Sequence, residues 1–389
     1  MQGRKDIFKK LEGAFKGNEK IIWMHCSSLG EFEQGRPLLE KLKTQNSKFK
    51  ILLTFFSPSG YEIRKNYDGA DWVFYLPMDS PRNAKRFLKI VNPSLVIFVK
   101  YEFWYYYLRE IKNKNIPLLL VSGIFRNEMH FFKWYGNFSH KMLYCFTHFF
   151  VQNETSKNLL DGIGLKNVSI TGDTRFDRVI EIAENAGSIP IIEEFIGNNK
   201  AIIAGSTWPE DEEILQKTMI ALNDQSLKFV IAPHEINEKH LSDIEKLFPG
   251  SIKYSQFQTS NVKRQTSNIL IIDNIGLLSR IYKYAYITYI GGGFNKSGIH
   301  NVLEAAVYGK PVLFGPYYHK FLEAVDLINN GGAFNINNAD DTITIIQKLE
   351  GNKEEYERSC KNSLDYVYVN KGATDAIMDF IYRNRLLIN

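Results

Sequence analysis

Two groups of residues in this chain have the types and spacing to do chemistry. The first is His300-Asn301-x-x-Glu304, which follows the glycines Gly291, Gly292, Gly293 and Gly298. On a helix, His300 and Glu304 share one face and Asn301 lies beside it. Glycines let backbone N–H groups come close to an anion, and a helix N-terminus adds unpaired donors and partial positive charge. Such a face can hold a phosphate at the helix mouth and a ribose one turn further in. The glycines alone fit equally well a loop that caps an ordinary helix. The second group is Glu31, which closes Ser27-Ser28-Leu29-Gly30-Glu31 at the start of a helical pattern. A helix N-terminus favours an ionised carboxylate, and an ionised carboxylate beside a bound hydroxyl can act as a general base. A routine acidic residue in a first turn has the same spacing, and Glu33 is the local competitor.

Three further loops carry polar residues to the ends of apolar runs. Gly205-Ser206-Thr207 enters an acidic helix, where Ser206 and Thr207 either bond a phosphate or sugar acid or cap the helix. Pro233-His234 ends another run, with His234 as a ligand contact or a structural histidine. His319 and Lys320 either meet a negative group or form a surface turn. In the first half, Glu102 opens a dense aromatic stretch, Phe103 to Tyr107, continued by Phe131, Phe132, Trp134 and Tyr135. The bases Arg109, Lys112, Arg126 and Lys133 are interleaved with it. Rings and bases together suit a phosphorylated lipid or membrane surface or single-stranded nucleic acid; packed as core, the same rings need neither.

The elements that must position these residues alternate regularly. Short apolar runs at 21–24, 51–55, 95–99, 118–121 and 149–151 read as strands, with helical patterns at 31–42 and 83–90 between them. A second series runs through 201–204, 229–232, 269–272, 286–290 and 312–314. Strands alternating with helices predict parallel sheets covered on both faces. The stretch 173–199, helical in part and broken by Gly187, Pro190 and Gly197, reads as the linker. The expectation is an α/β chain of two Rossmann-like domains, 1–180 and 181–389, facing each other across a cleft, with the last helix able to pack back on the first domain. Ligands of such sheets bind outside the carboxyl ends of the strands.

Composition sets the bounds. With 389 residues, 44% hydrophobic and 23% charged, the chain can bury two cores. A net charge of +5 is too mild to argue for nucleic acid. Cys26, Cys145 and Cys360 form no CxxC or Cys/His cluster, so neither a disulfide framework nor a structural zinc is indicated. No run of 18 apolar residues occurs. The N-terminus sets Arg4, Lys5, Lys9, Lys10 and Lys16 around Ile7, Phe8, Leu11, Ala14 and Phe15. That pattern suits an anionic membrane surface or a solvated first helix.

Taken in order, these motifs resemble the 3-deoxy-D-manno-octulosonic acid (Kdo) transferases of lipopolysaccharide synthesis. The carrying segments are Trp23 to Glu31 with Arg36-Pro37-Leu38, then Thr54 to Gly60, Tyr75-Leu76-Pro77-Met78-Asp79 and Glu102-Phe103-Trp104. They continue through Pro117 to Ser122, Gly172 to Asp177, Gly205 to Glu213 and Gly291 to Glu323. The resemblance implies a GT-B fold and transfer of Kdo from CMP-Kdo to a lipid A precursor, with inversion, no metal and no cofactor. It assigns Glu31 the general-base role. It places Ser28, Gly30 and Arg126 toward the acceptor, with Glu102 either supporting the acceptor or orienting its neighbours. Toward the donor it places Gly205, Ser206, Thr207, Pro233, His234, Gly292, Gly293, Gly298, His300, Asn301 and Glu304. It implies peripheral contact with the cytoplasmic face of the inner membrane, or an N-terminal anchor that is missing from this chain, and no nucleic-acid partner. Two departures stand out: Pro233-His234-Glu235 replaces the usual Pro-Arg-His, and Tyr101-Glu102-Phe103-Trp104-Tyr105 replaces Thr-Glu-Leu-Trp-Pro. The alternatives are a non-hydrolysing sugar-nucleotide epimerase and a non-catalytic phospholipid- or RNA-binding module. The Trp23 to Glu31 segment argues against the former. The latter leaves the nucleotide helix unexplained.

Overall fold

The computed structural model describes residues 4–17, 19–133, 136–257 and 267–387. Trp134 and Tyr135 lie outside the described residues. The chain forms two compact units, Met1–Arg178 with Asn370–Asn389, and Val179–Val369. Each is built on a seven-stranded parallel sheet, and the fold is GT-B.

In the first unit the strands are β1 (Lys20–Cys26), β2 (Phe49–Phe55), β3 (Trp72–Tyr75), β4 (Leu95–Val99), β5 (Leu118–Gly123), β6 (His148–Val151) and β7 (Val168–Ile170). They lie in the order β3-β2-β1-β4-β5-β6-β7. Apart from Lys20, β1 is buried along its whole length, and β4 is buried throughout, as parallel strands covered on both faces require. In the second unit the strands are β8 (Ala201–Thr207), β9 (Lys228–Pro233), β10 (Ile252–Lys253), β11 (Ile269–Ile271), β12 (Ile287–Ile290), β13 (Val312–Phe314) and β14 (Ala333–Asn335). Their order is β10-β11-β9-β8-β12-β13-β14. The direction of winding therefore reverses between β1 and β4 in one sheet and between β8 and β12 in the other. At such a switch point the connections on the two sides lead away to opposite faces and leave a crevice beyond the carboxyl ends.

The stretch read as a linker is mostly ordered helix. Residues Arg175–Glu184 are helical, and the division between units falls inside that helix, at 178/179, against the 180/181 read from sequence. Pro190 opens a second helix, Pro190–Ile196, whose Ile192, Phe195 and Ile196 are buried. Proline at a first helical position suits the entry, since its missing N–H would be unpaired there anyway.

The final helix, Ala373–Arg383, belongs to the first unit, where Ile377, Met378 and Ile381 pack with Ile22, Leu39, Leu95 and Ile97. Each such side chain, fully buried, stabilises by roughly 1.5–3 kcal/mol. The Asp177 carboxylate accepts from Gly372 N–H at 2.6 Å and Thr374 N–H at 2.7 Å, so it serves the start of that helix from outside. At the other terminus, the helix Ile7–Ala14 buries Ile7 and Leu11 in the first unit's core, and Phe15 follows them in. The apolar face that sequence offered to a membrane is thus used internally, while Lys5, Lys9, Lys10 and Lys16 are exposed. Much of the aromatic stretch is core as well: Tyr107 and Phe131 are buried, with Phe103, Trp104, Tyr106 and Phe132 packed against them. Among the described residues no helix is long and apolar enough to cross a membrane.

Candidate functional site

At the β1/β4 switch point the chain leaves β1 through Ser27 and Ser28 and enters the helix Leu29–Gln45. Ser28 is the N-cap and Glu31 the third helical residue, the two positions of a capping box, in which the Glu31 side chain serves the N-cap backbone. Glu31 Oε2 accepts the Ser28 N–H at 2.7 Å and also the Ser28 hydroxyl. One carboxylate oxygen is thereby fixed, which sets the direction of the other. Glu33 is engaged differently: Arg64 Nη2 donates to it at 2.9 Å and Arg36 lies 3.8 Å away. Gly30 is exposed in the first turn, where a Cβ would meet only the Ser28 hydroxyl at 3.8 Å. Arg126, beyond the end of β5, is exposed.

Across the switch point, Glu102 is only 4% exposed. Its Oε2 lies 3.1 Å from Nε2 of the wholly buried His25 and accepts the Trp104 indole N–H. The other nitrogen of His25 lies 2.9 Å from the Thr54 hydroxyl and 3.1 Å from the Thr54 carbonyl. Trp23 Nε1 donates to the same hydroxyl at 2.7 Å. Burial alone would raise the Glu102 carboxyl. The hydrogen bond and charge of His25, with Trp104 and Ser27, hold it below its ordinary value. Glu102 thus faces inward, tying β1, β2 and the segment after β4 into one buried polar network. Backbone strain gathers here too: Lys100 and Ser122, just past β4 and at the end of β5, have φ of +69° and +52°. Non-glycine residues in that region cost of order 1–3 kcal/mol and cluster at functional sites.

In the second unit the corresponding edge is organised by a residue not singled out from sequence. Asp211, 0% exposed, sits beneath the glycine loop. Its Oδ2 accepts the Gly292 N–H at 2.8 Å and the Trp208 N–H at 2.9 Å, and its Oδ1 accepts the Tyr289 hydroxyl at 2.8 Å. The Gly291 N–H is bonded to the Gly205 carbonyl at 2.9 Å. The expectation that these glycines aim their N–H groups at an anion is therefore corrected for Gly291 and Gly292: a buried carboxylate and a neighbouring strand take them. The glycines are required for another reason. A Cβ on Gly291 would lie 2.2 Å from the Ser206 carbonyl oxygen, and Gly292 has φ of +87°. Gly293 lies against Gly315, Gly205 against the Tyr282 hydroxyl, and Gly298 (φ +85°) against Tyr317 and Phe321.

The His-Asn-x-x-Glu element is also rearranged. The helix begins only at Leu303 and spans Leu303–Ala306, so His300 and Asn301 precede it and share no helical face with Glu304. Asn301 is the cause: its side-chain oxygen accepts the Leu303 N–H at 3.2 Å, a local bond that competes with helix. Its amide donates to Glu304 Oε1 at 3.1 Å. The sequence Gly309-Lys310-Pro311 ends the helix early.

What gathers instead is a group of rings. His234, just past β9, stacks on Trp208 (centroids 4.8 Å, 25°) and on His300 (4.3 Å, 26°). The Trp208 indole N–H donates to His300 Nε2 at 3.2 Å. Burial, then the charge of His234, push the His300 imidazole down to about 4, and burial also lowers His234. Ser206, near the end of β8, is in the left-handed region at φ +55°, where the pairing with β9 shifts register. Thr207 is buried and turned inward, donating to Glu212 Oε1 at 2.9 Å. Pro233 is buried at the end of β9, while His319 and Lys320 are exposed. Trp208 and Asp211 were legible only as a tryptophan and an acid three residues apart around a proline, the spacing of a helix start. Among the described residues no three His, Cys, Asp or Glu side chains group as metal ligands.

The acid response of this edge follows from two opposed shifts. Burial pushes the Asp211 carboxyl up to about 6 despite its three hydrogen bonds. The folded state therefore binds this proton more tightly than the unfolded one, and Asp211 adds stability as pH falls from about 6 toward 4. His300, depressed to about 4, does the reverse: its contribution is present above pH 6.5 and lost on the way down to 4. Asp211→Asn removes only the first term. The unfolding free energy of the parent minus that of the variant is expected to grow by about 2–3 kcal/mol between pH 7 and pH 4. Urea unfolding followed by Trp208, the one tryptophan between residues 179 and 369, measures it. A difference that stays flat with pH removes this account of Asp211.

The family model described as "3-Deoxy-D-manno-octulosonic-acid transferase (kdotransferase)" matches residues 3–178. A relative from Aquifex aeolicus, a 3-deoxy-D-manno-octulosonic acid transferase, is 28% identical over 356 residues, covering 90% of each chain. In fold, the chain is similar to UDP-GlcNAc 2-epimerase from Neisseria meningitidis (TM-score 0.63, 17% identity, 94% of this chain and 100% of that one). It is also similar to a glycosyltransferase from Rickettsia africae (TM-score 0.60, 16% identity, 96% and 100%). At these identities the two structures speak for the fold alone. The sequence matches point to the 3-deoxy-D-manno-octulosonic acid transferases: the residues that the family model matches include the β1-to-Glu31 and Glu102 edges described above, and the similarity to the Aquifex relative extends over nine-tenths of the chain.

Proposed function

We propose that this protein moves Kdo from CMP-Kdo to a hydroxyl of a lipid A precursor, with inversion and with Glu31 as general base. The observation that carries the reading is the Glu31 carboxylate at the β1/β4 switch point, held by Ser28 through one oxygen only. Oε1 is then the oxygen that takes the proton of the acceptor hydroxyl as that hydroxyl attacks the anomeric carbon. Glu33, paired with Arg64 at 2.9 Å, is the poorer base. The bond from sugar to phosphate breaks and CMP departs, met by His300 and Asn301, with Glu304 toward the ribose. Fixed dipoles aimed at growing charge need no rearrangement during the reaction, and no cofactor enters. Glu102 supports this site from behind by fixing His25 and Trp104. The exposed lysines in and just before the N-terminal helix, Lys5, Lys9 and Lys10, supply the peripheral contact with an anionic membrane.

Mass spectrometry of a tetraacylated, bis-phosphorylated lipid A precursor after incubation with the protein and CMP-Kdo tests this. A gain of whole Kdo units is expected, and it counts the sugars. An unchanged lipid with CMP-Kdo bound points to another acceptor, and failure of CMP-Kdo to bind sinks the assignment in favour of an epimerase.

A further inference from the structure

Trp208 touches the most chemically capable ring of the second unit in a way that leaves one option. Its Nε1–H donates to His300 Nε2 at 3.2 Å, and the His234 ring lies over both partners. An indole N–H can donate and never accept. Nε2 of His300 is therefore the bare nitrogen, and the proton of the neutral ring is on Nδ1. Protonating Nε2 as well would set two N–H groups head to head. Gly292 lies close to the same edge of the ring, where a Cβ would come within 3.1 Å of Cδ2 and 3.4 Å of Nε2, and the His300 backbone N–H bonds the Gly291 carbonyl at 3.1 Å.

We propose that Trp208 is a positioning residue that locks His300 as the neutral Nδ1–H tautomer, so that His300 meets a bound anion as a hydrogen-bond donor and as neither a cation nor a base. This rests on the reading of the loop as a nucleotide-phosphate site. The lowering of His300 to about 4 acts in the same direction, burial first and the neighbouring His234 second. Without the indole donor the imidazole is free to divide between its two tautomers, and in the Nε2–H form Nδ1 presents a lone pair to the anion.

The test is long-range ¹H–¹⁵N NMR of the full chain labelled in its eight histidines, with His300 assigned by its absence in His300→Gln. In the unaltered protein the expected pattern is bare Nε2 and protonated Nδ1 from pH 5 to 8. Trp208→Phe keeps a ring for His234 to stack on and removes the donor. There the His300 signals are expected to become those of mixed tautomers, and CMP binding to weaken about two- to tenfold, with kcat changed less. A bare Nδ1 in the unaltered chain overturns the inference whatever the variant does, so it remains testable if the variant fails to fold. A Trp208→Phe protein that keeps the single original tautomer overturns it equally. If the tautomer changes as stated but CMP leaves His300 unmoved in the unaltered chain, the role of Trp208 stands and the nucleotide reading of the loop falls.

Discussion

Glu31→Gln is expected to lower kcat for Kdo transfer by about 10²–10⁴-fold, the usual cost of losing a general base, while leaving the fold intact. The choice of glutamine matters. Glu31 has a structural duty, since its carboxylate closes the helix start with Ser28. Glutamine can perform that duty, because a side-chain amide oxygen also accepts the N-cap N–H. Alanine cannot, and loss of such a cap costs roughly 0.5–2 kcal/mol. A rate loss in Glu31→Ala alone could come from a frayed helix. In Glu31→Gln, with unchanged thermal unfolding, it can come only from the missing basicity. The measurement is turnover at saturating CMP-Kdo and acceptor, with unfolding recorded on the same preparation. Turnover within tenfold of the parent would remove Glu31 from the chemistry and leave it a cap.

The second large effect concerns stability. Glu102→Ala is expected to weaken the first unit by about 3 kcal/mol, because it strands the fully buried His25 ring and the Trp104 indole without their acceptor. Removing one partner of a buried pair costs far more than the pair contributes, since the survivor pays full desolvation. Glu102→Gln retains an oxygen of the same reach and should lose much less. Native-state hydrogen exchange of the β1 and β4 amides reads the difference, with protection expected to fall about 100-fold in the alanine variant. Equal protection in alanine and parent would mean that the network does not hold these strands together.

How far these features could be read from the chain depends on the range of the interactions behind them. Apolar runs such as 95–99 and 118–121 could be placed because a parallel strand buried on both faces writes its burial directly into sequence. Glu31 could be placed because capping is a matter of three residues. The His300 region was misread because the choice between a helical His300 and a turn at Asn301 is made by one side-chain bond to Leu303, with Pro311 limiting what the helix could gain. Asp211 was passed over because its meaning comes from Gly292, 81 positions away. The contact between His25 and Glu102 likewise exists only once β1 and β4 lie side by side. The helix Pro190–Ile196 was taken for linker because its glycine and proline flanks look like breaks until Phe195 is seen buried.

The placement of Ala373–Arg383 in the core of the first unit has a consequence for synthesis. A ribosome releases residues 1–178 long before it releases the apolar side chains, Ile377, Met378, Ile381 and Leu387, that complete their core. At about 5–20 residues per second, the intervening stretch takes about 10–40 s to make. Through that interval the β1/β4 sheet waits with one face open, while the second unit, whose sequence is continuous from Val179 to Val369, can already close. The order of birth is thus reversed in the order of completion. A nascent chain arrested before Asn370 should expose Ile22, Leu39 and Ile97 to any chaperone that binds apolar surface, and the helix Ala373–Arg383 acts as the latch.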